Sequence, residues 1–334
     1  MSSRTSTSQS QRATRQSISS LAYQSIVIAL LAVQGGIGYA VHRGWWLLAA
    51  PLVLAAAHLM HGVSIAFHEA SHGLLRRGRF QNELDGTVIG ALGLLPLTLY
   101  RAVHQTHHMH LATERDEEFW PLNVPGTPLW ARRLAAALEL TLGVIYVPFL
   151  FYRAFFRSGT RIRSPKVRRR IWLEILLSAV LWAGILTTVA ALHAWDSFFW
   201  VYLLPVWIAT NLQSWRKYVE HVGLEGTTVN SMTRNVMPGG SVGRFVSFSL
   251  LHEPFHGVHH SLAGVPHDEL PKHADLMEAR SEEDIPPFPN YFSALRHMVS
   301  TLGDPRVGVQ WLPDRRPEGG RANRGMHHVE VGDC

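Results

Sequence analysis

Cysteine is almost missing from these 334 residues, with Cys334 at the last position the only one. An internal disulfide framework, a CxxC redox pair and a thiolate metal cluster are thereby excluded, so any metal has to be held by histidine or carboxylate. Lysine is nearly as scarce, three residues against 28 arginines, a usage that hints at a high-GC bacterial gene. Charge of either sign is missing from long stretches. Residues 24–41, 45–67 and 197–215 contain no Asp, Glu, Lys or Arg, and 171–192 contain Glu174 alone. Each comes close to the roughly 20 residues that cross a bilayer, and the four read as two transmembrane hairpins. Mean hydropathy is nevertheless near neutral, because long polar, His-rich segments dilute the apolar spans and must sit outside the hydrocarbon as a sizeable cap. Acids are absent from the first 20 residues, which are rich in Ser, Thr, Arg and Gln. That composition fits a disordered basic tail and, more weakly, an organellar presequence; the tail is the reading adopted, with a second tail at 313–334 and one domain at 21–312 between them.

The net charge of +6 would suggest nucleic acid in a soluble protein, but its placement argues otherwise. Arg4, Arg12 and Arg15 precede the first span, and Arg153, Arg157, Arg161, Arg163, Lys166, Arg168, Arg169 and Arg170 precede the third. By the positive-inside rule both regions face the cytoplasm, and the short links 42–44 and 193–196 face the other side. The charge reports topology and contact with membrane lipids, with no nucleic-acid partner, and the expected location is a bacterial inner membrane. Two further apolar stretches do not fit as spans. Residues 87–99 are too short and are broken by Gly90, Gly93 and Pro96, so they read as re-entrant or interfacial. Residues 134–152 are long enough, yet a crossing there would put the histidine clusters described next on opposite faces, so they are placed in the interface.

What the chain has in abundance is histidine, 20 of 334 residues. Three clusters stand out: His68 and His72 as HxxxH directly after the second span, His104, His107 and His108 as HxxHH, and His256, His259 and His260 as a second HxxHH. On a helix, positions i, i+3 and i+4 share a face, so each box presents its imidazoles in one direction. At this histidine frequency chance supplies roughly 0.07 HxxHH matches per chain, so two are a strong signal. Neutral imidazole suits Zn, Fe, Cu and Ni, and eight such ligands are too many for one ion, which implies two. All three boxes fall on the predicted cytoplasmic side near the ends of the second and fourth spans, where an apolar chain among the spans could bring a C–H bond to the metals.

With these boxes the chain resembles the membrane fatty acid desaturase superfamily over roughly residues 20–275. The runs Thr113-Glu-Arg-Asp116, Arg216-Lys-Tyr-Val-Glu-His221 and 266–271 are similar to family flanks. The resemblance implies a non-haem di-iron centre that takes O2 and two external electrons to abstract hydrogen from an unactivated carbon of a fatty acyl or related lipid. Desaturation is the expected outcome, and hydroxylation, ketolation or oxidative decarboxylation begin with the same abstraction. It also implies His221 as a ninth ligand. Two departures matter. Where some family members carry an Asn that holds a metal-bound water, one helical turn before His221, this chain has Lys217, which leaves that role unassigned. No fused cytochrome b5 is recognisable, since 237–240 only approximates its HPGG run. Electrons are therefore expected from a separate ferredoxin or cytochrome with its reductase, for which the basic run 153–170 is one docking surface and a lipid-facing role the other reading.

Ligating histidines usually donate their second N–H to a carboxylate or carbonyl, and Glu69, Asp116, Glu220 and Glu253 are near enough in sequence to accept. His58 and His61 share a helical stripe with His68 deeper in the membrane and are candidates to line a substrate tunnel. His110 and His252 sit beside boxes as weaker ligand candidates, His252 sharing a face with His256, and His327 and His328 fall in the C-terminal tail. Two rival readings remain. His68-Glu69-Ala-Ser-His72 is also an HExxH zinc-protease signature, with Asp85 as a third ligand, and a metal transporter is the non-enzymatic alternative. Neither explains both HxxHH boxes. The expected fold is all-α, with four transmembrane helices in two hairpins under a cytoplasmic helical cap that holds the dimetal site.

Overall fold

The computed structural model describes residues 18–312, and the regular elements among them are all helical, with two isolated bridges, Leu224 to Val307 and Val236 to Phe288. The predicted tails lie outside the described residues except for 18–20, where Ile18 is buried and its carbonyl accepts from Arg77 Nε at 2.8 Å. Two long helices, α1 (Leu21–His42) and α2 (Trp46–His72), form the first hairpin. The second comprises α7 (Pro165–Ala191) and a return helix made of α8 (Trp195–Phe198), a π-helical turn (Phe199–Leu203) and α9 (Leu204–His221). Both junctions of the π turn stay in right-handed helical backbone. Helices α1, α2 and α7 are each long and apolar enough to cross a membrane. The fourth crossing predicted at 197–215 falls on the return helix, whose π turn divides it. Exposed Ile28, Leu31, Leu47, Leu176, Leu177 and Val180 turn the outer faces of α1, α2 and α7 toward lipid.

A 27-residue helix such as α2 is about 40 Å long, while the hydrocarbon is roughly 30 Å thick. Its last turns therefore project beyond the core, and these turns carry His68 and His72. Helix α2 ends there because Gly73 takes φ 76, with Gly73 N donating to Ala70 O and Leu74 N to Glu69 O, the six-to-one closure of a Schellman motif.

Helices α3 (Arg79–Leu92) and α4 (Leu97–Met109) meet at a 98° bend. Together they are apolar enough to be read as one broken span, but the path of the chain decides against a crossing. The pair leaves from the end of α2 and returns His104 Nε2 to 3.1 Å from His72 Nε2, so both ends lie at one face, as the re-entrant reading of 87–99 expects. The turn is tight because Gly86 and Gly90 allow it. A Cβ at Gly90 would stand 2.5 Å from Leu95 O and 2.8 Å from Phe67 Cε2. Glu174, the lone acid of α7, is buried and caps the start of α4, accepting from Thr98 N at 2.8 Å and Thr98 Oγ1 at 2.7 Å. Arg101 on α4 donates to Ser71 O and Ala70 O at the end of α2 and pairs with Glu83 at 2.6 Å. The first two histidine boxes are thus clamped to one another by the Arg101 side chain on the carbonyls that end α2.

The stretch 134–152 divides at Leu142 into α5 (Leu129–Thr141) and α6 (Gly143–Phe156). Near one end Arg132 pairs with Asp304, and near the other Arg153 pairs with Glu117 at 3.2 Å. Both ends are tied to the cap. After His221 the chain forms short elements: α10 (Val229–Met232), α11 (Gly240–Ser249), α12 (His256–Ser261), a 3-10 segment (Leu270–Met277) and α13 (Tyr291–Val299).

Candidate metal centre

Four elements bring the histidines together: the end of α2, the second half of α4, the end of α9, and α12. The nine predicted positions resolve into two groups. His68, His72, His104, His108 and His259 form one, and His107, His221, His256 and His260 the other, with one ligand atom from each within 4.8 Å of its fellows. In each HxxHH box the i and i+4 residues serve one group while the i+3 residue crosses to the other. Thus α4 sends His104 and His108 one way and His107 the other, and α12 sends His256 and His260 one way and His259 the other. A helical turn of rise separates the pair, and the 100° step between neighbours aims the third ring elsewhere.

Carboxylates and carbonyls fix the outer nitrogens. His107 Nδ1 donates to Asp116 Oδ2 at 2.7 Å, His104 Nδ1 to Glu118 Oε1 at 2.8 Å, His256 Nδ1 to Glu253 Oε1 at 3.1 Å, and His221 Nδ1 to Met232 O at 2.9 Å. Asp116 is itself held, because its Oδ1 accepts from Glu118 N and Asn123 donates to Thr113 O and Asp116 O. Of the four predicted supporting acids, Asp116 and Glu253 therefore reach ligand rings. Glu220 instead takes Arg216 Nη1 at 2.6 and 2.7 Å and stands 3.6 Å from His256 Nε2, and Glu69 stands 3.7 Å from His68 Nδ1, beyond hydrogen-bond reach. Glu118 is the acid that sequence reasoning missed. Its only sequence signal was the acidic run 114–118, in which nothing marks the member that turns inward.

Whether this cage suits a metal can be tested on the protons. The carbonyl of Met232 can only accept, so His221 carries its proton on Nδ1. Glu253 Oε1 also faces the Arg216 guanidinium, so His256 likewise donates from Nδ1. Both Nε2 atoms then present lone pairs, yet they lie 2.7 Å apart. His104 Nε2, a lone pair since its Nδ1 donates to Glu118, lies 3.1 Å from His72 Nε2 and 3.0 Å from His108 Nε2. Lone pairs aimed at a common point repel unless a cation lies between them, so the donor set fits metal. Burial, then the neighbouring imidazoles and Arg216, push His256 well below the ordinary histidine value, and burial with adjacent rings does the same for His259 and His260. The ligating, neutral form is the resting one. Burial would raise the Glu118 carboxyl, but His104, His107 and the Lys217 ammonium outweigh it and hold Glu118 far below the usual carboxylate range.

A third acid-rich group, Glu220, Glu253 and His256, already contains the guanidinium of Arg216 between its two carboxylates, so a cation is present there without a metal. Lys217 pairs with Glu139 and donates to Glu118 O at 3.1 Å. Other predicted residues stand apart. His58 Nε2 bonds Ser249 Oγ at 2.8 Å, and neither it nor His61 lines the cavity beside the histidines. Asp85 pairs with Arg76 at 3.3 Å, away from His68 and His72, so the third ligand of a zinc-protease site is lacking. His252 bonds Ser247, and His110 caps α4; neither joins a group.

Comparison with known proteins agrees with this geometry. A family model described as Fatty acid desaturase matches residues 43–291, a stretch that includes all nine imidazoles. The chain is similar to the fatty acid desaturase of Bacillus subtilis (strain 168), 26% identical over 243 residues that cover 67% of each chain. It is also similar to a probable fatty acid desaturase, DES1, of Sorghum bicolor, 26% identical over 135 residues, which are 37% of this chain and 34% of that protein.

Proposed function

The chain belongs to the fatty acid desaturase family, and from that premise we propose that it is an integral-membrane di-iron enzyme that uses O2 to introduce a double bond into a fatty acyl or related lipid chain. The observation that carries the reading is the division of nine imidazoles into groups of five and four, one metal position each. His68, His72, His104, His108 and His259 would hold one ion and His107, His221, His256 and His260 the other. Bound iron would supply the activation of O2 and the removal of hydrogen from an unactivated carbon.

The protein's own part is orientation and charge. Asp116, Glu118, Glu253 and the Met232 carbonyl fix the tautomers that aim Nε2 inward. Arg216, held between Glu220 and Glu253, offsets their negative charge beside the imidazoles. Electrons would come from a separate ferredoxin or cytochrome with its reductase. The active site would face the cytoplasm of a bacterial inner membrane, a placement supported by the arginines of 153–170 and the positive-inside rule.

Elemental analysis of detergent-purified protein, prepared with iron available and without a histidine tag, tests the reading. It expects about two irons per chain, from the donor type and count. His107→Ala and His259→Ala should each lose iron and activity, and full activity in either would refute the site. One zinc and no iron would favour hydrolytic chemistry instead. Lipid analysis of cells expressing the gene then separates a new double bond from a hydroxyl or keto group.

A further inference from the structure

A cavity runs from the imidazoles of His68, His104, His107, His221 and His256 toward α6 and α9. A plain hydrocarbon would need an apolar slot there. Val147 and Phe151 are indeed apolar, but Tyr100, Gln213 and Ser214 are polar and Glu118, Glu139, Arg216, Lys217 and Glu220 are ionisable. The charges on this wall are already answered, Lys217 by Glu139 and Arg216 by Glu220 and Glu253. No cation at the wall is left over to attract an anion.

Ser214 is the unusual member. It is 1% exposed, and its hydroxyl has no hydrogen-bond partner among the described residues. A helical serine or threonine commonly bonds the carbonyl one turn back, as Thr210 Oγ1 does to Val206 O at 2.9 Å. Ser214 does not, and a buried hydroxyl left unpaired is destabilising. Tyr100 lines the same cavity with its ring stacked between His104 at 5.3 Å and Phe151 at 5.1 Å, which fixes its plane. We propose that this wall is a subsite for a neutral hydrogen-bonding group of the lipid, a hydroxyl or an amide, with Ser214 as its partner and Tyr100 beside it. The lipid is then anchored by that group while a carbon further along its chain reaches the histidines. The substrate class is a lipid alcohol or amide, and this assignment rests on the lipid-oxidation reading above.

Equilibrium binding to the full chain, loaded with metal in nanodiscs, tests it. Radiolabelled 1-hexadecanol is competed by hexadecanamide, hexadecane and palmitate, with empty nanodiscs subtracted. Hexadecanol and hexadecanamide should bind about tenfold more tightly than hexadecane or palmitate, and Ser214→Ala should weaken both polar ligands about tenfold, or about 1.4 kcal/mol, without changing hexadecane. Tyr100→Phe, which keeps the ring stack, should also weaken only the polar ligands. Equal binding of hexadecanol and hexadecane, or indifference of hexadecanol to both substitutions, overturns the subsite. Tightest binding of palmitate overturns its neutral character. Iron content and product formation are measured on the same preparations. Ser214-dependent binding without iron or product would keep the subsite and reject the oxygenase reading, and oxidation with Ser214-independent binding would do the reverse.

Discussion

At the scale of single residues, the centre depends on which nitrogen of each ring carries its proton. Outer-shell acids of this kind change metal affinity by about 10–100-fold when removed. Asp116→Asn and Glu118→Gln are therefore expected to lower iron affinity by that order while leaving the helices in place, as read by chelator competition and circular dichroism. A histidine that joins neither metal group adds to the acid sensitivity. Burial holds His267 down at about 4 against its ordinary 6.5, in spite of a contact with the Ser19 backbone that raises it. Below pH 6.5 the unfolded chain binds a proton that the folded chain refuses. The stability tied to His267 is therefore complete above 6.5 and is lost as pH falls toward 4, about 3 kcal/mol in all. Thermal midpoints in detergent should fall over that range, and His267→Gln should flatten the slope by about one proton. The convergence of the boxes was readable in the sequence because helical spacing shows which rings share a face, but the transfer of the i+3 ring of each HxxHH box to the other group was not. Glu118 was not, because it sits in a 3-10 turn at 117–119 whose facing is set by tertiary contacts, and the partner of His221 is a backbone carbonyl that has no side-chain signature.

At the scale of elements, the α3–α4 bend depends on a close approach of backbones. Gly90→Ala would push a methyl against Leu95 O and Phe67, and since a carbonyl cannot give way as a side chain can, a loss of about 1–3 kcal/mol is expected, read as a lowered thermal midpoint. Glu174→Gln should act through the same joint. It weakens the cap on Thr98 and the Arg170 pair at 3.0 Å, and α4 should exchange its amide hydrogens faster while α2 does not. That 87–99 does not cross was legible from Gly90, Gly93, Pro96 and a short apolar run. The break at Leu142 and the π turn at 199–203 were not, since both fall inside continuous apolar sequence whose pattern carries no mark of a change in pitch. The serine partner of His58 was not legible either, because Ser249 comes from α11, far along the chain.

At the scale of the whole molecule, the proposed orientation puts the arginine-rich run 153–170 and the short links 42–44 and 193–196 on opposite sides of the membrane. In a Cys334→Ser background, Arg161→Cys should be labelled by an impermeant maleimide only in inverted vesicles and Asp196→Cys only in intact cells. The reverse pattern would invert the topology. Nothing in the crossing of ligands between the two groups was needed for either ion alone. Because α4 and α12 each contribute to both groups, filling one orders the two short helices that the other also requires. Metal uptake should therefore be cooperative, with half-loaded protein scarce. A titration of the empty protein would rise as a sigmoid and pass from empty to doubly filled with little in between.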